Sequence, residues 1–114
     1  MKTILKGRLG EKIAQKFLEK RGYKVLGRNL KLKNLGEVDI LAEKNGVLNF
    51  VEVKSLFNQN YFLPEFKFNK QKRQKIERLA RFFCLKLNKE NYIISLVAVS
   101  FNRNKIKIRY YENI

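Results

Sequence analysis

The sequence is most informative first in what it lacks. Its 114 residues contain no histidine and no tryptophan, and only one cysteine, one proline and one methionine. Without histidine there is no imidazole to ligate a metal or act as a general base. Any metal must then be held by oxygen ligands, which suits Mg2+ or Mn2+. The lone Cys84 cannot form an intramolecular disulfide. With no evident base beside it, Cys84 reads as a small packing residue and not a nucleophile. Long apolar runs are absent too. The segment Met1-Lys2-Thr3-Ile4-Leu5-Lys6 breaks its apolar character at once, unlike a signal peptide, and no stretch is long enough to span a bilayer. The expectation is a cytoplasmic protein with no membrane partner.

Negative charge is scarce. There are 10 Asp+Glu against 26 Lys+Arg, a net charge of +16. That surplus exceeds what solubility requires and implies a polyanionic partner, with nucleic acid the first candidate and an anionic membrane surface the second. Only one of the acids is an aspartate, Asp39. Against these absences stand 45% hydrophobic residues, nine Phe and five Tyr. This composition argues against disorder and for one domain over 1–114.

Read in order, residues 3–21 have helical periodicity: Leu9, Ile13 and Phe17 recur at four-residue spacing, with Ala14 and Leu18 widening the stripe. Glu11 falls at the edge of that stripe. It is either a surface residue whose stem packs on apolar neighbours or a carboxylate aimed at a site on the sheet. Gly22 is a natural terminator. Tyr23 to Asn29 reads as a short strand, and Leu30 to Leu35 as a loop carrying Lys31 and Lys33. Ser55 to Phe68 reads as an irregular segment containing Pro64, with Asn69 capping a helix from Lys70 to about Asn88. That helix has an apolar series of Ile76, Leu79, Ala80, Phe83 and Leu87. Its first turns, with Lys70, Lys72 and Arg73, are dense in cations that oppose the helix dipole. This local conflict marks the cluster as a candidate phosphate-binding surface. Tyr92 to Phe101 reads as a buried strand. Lys105 to Tyr110 alternates, with its isoleucines expected inward and its cations outward, as on a sheet edge. The expected class is α/β, a mixed sheet flanked by helices in the order α-β-β-β-α-β-β.

The chemistry concentrates between Gly36 and Lys54. Asn45-Gly46 between two hydrophobic runs is a strong hairpin signal, because both central residues of a type I′ turn need positive φ. With those two residues as the turn, Lys44 faces Val47, Asp39 faces Glu52 and Glu37 faces Lys54. All four of these charged side chains (Glu37, Asp39, Glu52, Lys54) then share one face. A four-residue loop would pair Glu37 with Glu52 instead. A three-residue loop would put Asp39 and Glu52 on opposite faces. Directly opposed carboxylates lie about 5 Å apart and repel, so such an arrangement needs a cation between them. Asp39 and Glu52 are therefore the candidate metal ligands and Lys54 the candidate catalytic cation of a metal-dependent phosphodiester hydrolysis site. Glu37 could instead pair with Lys54. The second strand, Val47 to Val53, is apolar at almost every position and is expected to be central and covered on both faces.

Several of these residues form an ordered set: Gly10-Glu11, Arg28-Asn29, Gly36-Glu37-Val38-Asp39-Ile40, Val51-Glu52-Val53-Lys54 and Lys70-Gln71. With this set the chain resembles the YraN-like family of small bacterial proteins. That family looks like the PD-(D/E)xK superfamily, with a restriction-endonuclease-like fold, and is similar to archaeal Holliday junction resolvases. The resemblance implies a nuclease triad of Asp39, Glu52 and Lys54. It implies supporting roles for Glu11, as a helix-borne acid, and for Gln71, at the start of the second helix. It also implies branched or junction DNA as substrate and a homodimer, since a junction presents two equivalent strands. The chain departs from the family pattern at Leu56, where a basic residue is usual, and at Ile94-Ser95-Leu96, where Arg-Phe-Asp is usual. The other reading of the residues is a non-catalytic basic protein that binds nucleic acid on the same fold.

Overall fold

A computed structural model describes residues 3–57 and 70–114. Helix α1 (Thr3–Lys20) is followed by strands β1 (Lys24–Leu32), β2 (Gly36–Lys44) and β3 (Val47–Phe57). Helix α2 (Lys70–Leu87) and strands β4 (Asn91–Asn102) and β5 (Lys105–Tyr111) complete the expected order. The five strands form one sheet in sequence order, β1-β2-β3-β4-β5. Only β3 and β4, which flank α2 in the chain, pair in parallel; the other neighbours are antiparallel.

The two helices bury opposite faces of the sheet, and this explains the apolar runs. On one face Ala14 and Leu18 of α1 pack with Ile40, Ala42, Val51, Val97 and Val99. On the other, Ile76, Leu79 and Ala80 of α2 pack with Leu41, Leu48, Phe50 and Ile94. Alternate residues of β3 and β4 thus point into two different cores, so both strands need apolar residues throughout. Helix α1 ends as Gly22 predicts. Gly22 adopts φ 91°, its N–H reaches the Glu19 carbonyl and the Tyr23 N–H reaches the Leu18 carbonyl, both at 3.0 Å. This is a Schellman cap, which satisfies two carbonyls of the last turn.

Four expectations need correction. Leu30–Leu32 is strand, not loop, because Leu30 and Leu32 pack under α2 and pair with Val38 and Gly36. Ser55–Phe57 is strand, not irregular, because the parallel β4 runs alongside as far as the Phe57–Phe101 pair. Ile106 is exposed: the α1 core reaches Ile108 and Tyr110 on β5 but not Ile106. Leu9 and Leu87, at the outer ends of the helical stripes, are also exposed. The expectations for Asn58–Phe68, including Pro64, and for the Asn69 cap lie outside the described residues. Among the described residues no helix is long and apolar enough to cross a membrane.

Candidate active site where two strands part

The site is built by a turn that fixes register and a ladder that stops early. Asn45 and Gly46 take φ 52° and 79°, the left-handed pair of a two-residue hairpin turn. Pairing runs from Lys44–Val47 to Ile40–Val51 and ends there. The next opposed positions are Asp39 and Glu52, so the side chains in question stand where β2 and β3 stop pairing. β2 stays with β1 as far as Gly36, while β3 stays with β4 as far as Phe57. The Val53 N–H donates to the Asp39 carboxylate at 2.8 Å, so a side chain takes up a backbone donor at the point of divergence.

The strands kink at the same level. Val38 and Leu41, three residues apart, both pack in the α2 core, whereas Ile40 and Ala42 pack in the α1 core. The two-residue alternation of β2 therefore slips by one around Asp39. On β1, Asn29 lies between the Arg28–Ile40 and Leu30–Val38 pairs and adopts φ 51°. Left-handed backbone inside a strand is a local kink that asparagine tolerates better than most residues. The Gly36–Asp39 end of β2 is thereby turned away from β3, leaving a cleft of about 590 Å3. It is lined by the acids Glu37, Asp39 and Glu52, the lysines Lys31, Lys33, Lys72 and Lys75, and the amides Asn34 and Gln71.

The two central acids are poorly solvated. Glu52 is 8% exposed and Asp39 is half-buried. Burial first, and then the neighbouring Asp39 carboxylate, push the Glu52 pKa up to about 7, against the opposing pull of Lys72. Burial also raises Asp39; the Val53 N–H and Lys72 pull it down, while Glu11 and Glu37 push it up. The cation these acids meet is Lys72, whose Nζ lies 3.2 Å from Glu52 Oε2.

The predicted residues are distributed as follows. Asp39 and Glu52 come together. Glu11 is half-buried on α1 and near enough to Asp39 to raise its pKa. Gly10 eases this approach: a Cβ there would lie 2.0 Å from Ser55 Oγ and 3.3 Å from Ser55 Cβ, so any other residue would force the Ser55 hydroxyl to turn away. Lys54 is exposed, on the Glu52 face by alternation, and makes no ion pair among the described residues. Glu37 lines the cleft and does not pair with Lys54. Gln71, Lys72, Lys31 and Lys33 line the cleft; Lys70 and Arg73 do not. Sequence reasoning placed Lys72 among the phosphate contacts and missed its ion pair with Glu52. The signal was present, since Lys72 stands four residues before Ile76 and so continues the sheet-facing stripe of α2. Asn34 was missed, and Lys75, within the cation-dense start of α2, was not singled out as a site residue.

The donor set suits a small hard cation. Among the described residues no third acid joins Asp39 and Glu52 in a group close enough to hold a metal. Mg2+ does not need one, because it keeps several waters and takes one or two carboxylates. Two desolvated carboxylates whose pKa values are both raised, Glu52's in part by Asp39, are the chemical environment such an ion would relieve.

Comparison with known proteins gives a consistent assignment. Residues 10–103 match uncharacterised protein family UPF0102. A UPF0102 protein of Alkaliphilus metalliredigens is 38% identical over 109 residues, covering 94% of each chain. One from Caldanaerobacter subterraneus is 35% identical over 115 residues, covering 99% of this chain and 92% of its own. One from Campylobacter jejuni is 37% identical over 115 residues. Among solved structures, Pyrococcus furiosus SfsA in complex with Ca2+ aligns over 96% of this chain and 63% of its own, with TM-score 0.40 and 22% identity. On the family match and these near-complete alignments, the chain belongs to uncharacterised protein family UPF0102.

Proposed function

We propose that the protein is a metal-dependent nuclease that hydrolyses DNA phosphodiester bonds, with Asp39 and Glu52 holding Mg2+ or Mn2+. The observation that carries this reading is the desolvated acid pair at the divergence of β2 and β3, in a cleft otherwise rich in lysine. Opposed carboxylates buried together lower stability unless something positive joins them, and perturbed acids in a cleft mark sites of chemistry. A divalent ion there would supply Lewis acidity, lowering the pKa of a water and offsetting charge on the scissile phosphate. The chain's own residues do the rest. The Val53 N–H fixes the orientation of Asp39. Lys31, Lys33 and Lys75 attract the DNA backbone to the cleft. Lys54, exposed and two residues beyond Glu52, is available to stabilise charge on the phosphate. Glu11 and Gln71 flank the pair from the two helices. Branched or junction DNA, a homodimer and a cytoplasmic location belong to the same proposal.

One observation favours a second reading. The Lys72–Glu52 ion pair meets part of the acid charge without any metal, as a non-catalytic DNA-binding protein would require. A cleavage assay separates the two. Duplex, single-stranded, flap and four-way DNA are incubated with Mg2+ or Mn2+ and either wild type or Asp39→Ala. The nuclease reading expects metal-dependent cleavage of at least one substrate, lost in Asp39→Ala while DNA binding persists. No cleavage of any substrate, with binding intact, would leave the binding reading standing.

A further inference from the structure

Lys72 stands in a conflicted position. It lies in the first turn of α2, which contains no acid, so the N-terminal end of the helix dipole opposes its charge. Four residues before Ile76, it faces the sheet and meets Glu52 at 3.2 Å. The two partners are unequally held. The Glu52 side chain is 10% exposed and fixed on a central strand, whereas the Lys72 side chain is 55% exposed on a flexible four-carbon stem. Glu52 cannot turn away from the cleft; Lys72 can, and it lines the same cleft as Lys31, Lys33 and Lys75.

We propose that Lys72 is an exchangeable counter-ion: it holds Glu52 in the metal-free protein, yields it to a divalent cation, and on release takes a backbone phosphate. Metal and DNA then bind cooperatively, because each favours the arrangement in which Lys72 has left Glu52. Linkage makes the effect reciprocal. This rests on the reading of Asp39 and Glu52 as a metal site. It differs from a fixed phosphate contact in one respect: the contribution of Lys72 to DNA binding depends on what occupies Glu52.

The test has two arms, both run on the full chain. In the first, Mn2+ is titrated calorimetrically into wild type, Lys72→Met and Lys75→Met. Lys72→Met keeps the stem and removes the charge; Lys75→Met removes an equal charge from the same cleft. Exchange expects Lys72→Met to bind Mn2+ tighter than wild type by on the order of 10-fold, and Lys75→Met to shift much less. In the second, binding of fluorescein-labelled four-way DNA is measured in EDTA for wild type, Lys72→Met, Glu52→Gln and the double variant. Exchange expects Lys72→Met to cost little affinity in the wild-type background, where Lys72 is engaged with Glu52. It expects a loss of several-fold in the Glu52→Gln background, where Glu52 no longer holds Lys72 by charge, with the salt dependence shallower by about one phosphate contact. Equal losses in both backgrounds, or equal Mn2+ affinity in wild type and Lys72→Met, would overturn the exchange. DNA cleavage that is lost in Asp39→Ala would leave the nuclease reading intact even then. If none of the three proteins binds Mn2+, both proposals fall. If exchange is seen without cleavage, only the nuclease reading falls.

Discussion

Replacing Glu52 by glutamine should make the metal-free protein more stable. Glu52 is 8% exposed, and its pKa rises from the ordinary 4.5 to about 7, chiefly through burial and then through Asp39. An acid whose folded pKa is raised holds its proton longer in the folded state than in the unfolded one. Stability is therefore full below the unfolded pKa and is lost as pH rises from about 4.5 to about 7, after which it stays level. A shift of this size corresponds to about 3 kcal/mol. Glutamine keeps the shape and removes the charge, so it recovers most of that difference. The pull of Lys72 is already contained in that shift, so its loss is not subtracted a second time. The net expectation is a gain of about 2 kcal/mol near pH 8, or roughly 8 °C in Tm for a domain of this size.

The assay is thermal unfolding of wild type and Glu52→Gln across the acid to mildly alkaline range, in EDTA and then with Mg2+ or Mn2+. In EDTA the two curves should coincide at about pH 4 and separate as pH rises, with the variant above. Added metal should raise the Tm of wild type and close the gap, because a ligand that binds only the folded state stabilises it by mass action. It should leave Glu52→Gln nearly unmoved. A variant less stable than wild type at alkaline pH, or a Tm difference independent of pH, would refute the reasoning. Glu52 would then be an ordinary member of a favourable ion pair.

Two further outcomes follow from the geometry around it. Asp39→Asn should retain an acceptor for the Val53 N–H, whereas Asp39→Ala should leave that donor without one. Both variants should abolish metal-dependent cleavage, but Ala should be less stable than Asn by about 1–3 kcal/mol in chemical denaturation. Equal stability of the two would show that the bond contributes nothing. Gly10→Ala reverses the usual helix propensity, since the new Cβ would meet Ser55 Oγ at 2.0 Å. Instead of gaining up to about 1 kcal/mol from alanine, the protein should lose about 1–3 kcal/mol, and Ser55→Ala in the same chain should restore much of the loss. A stabilising Gly10→Ala would mean that α1 does not need to approach β3 so closely.

What the sequence disclosed and what it hid divide along the range of the interactions. The hairpin register was legible because Asn45-Gly46 decides it within two residues, and φ 52° and 79° confirm the turn. The double burial of β3 was legible because its apolar run leaves no polar face. The end of the ladder was not, because it depends on a kink at Asn29 in one strand, a slip near Asp39 in the next, and the continued pairing of β3 with a strand that arrives after α2. Each is modest locally; together they turn an ion-pair face into a cleft. The ion pair of Lys72 with Glu52 was hidden for the same reason. A cationic helix start looks like a surface patch until the sheet it packs on is known. Once α2 is seated by Ile76, Leu79 and Ala80, a residue one turn earlier is carried to the sheet side, within reach of Glu52. The core therefore decides the electrostatics here: the apolar residues that seat α2 also determine which lysine meets the acids, and Lys54, two residues beyond Glu52 in sequence, is left exposed.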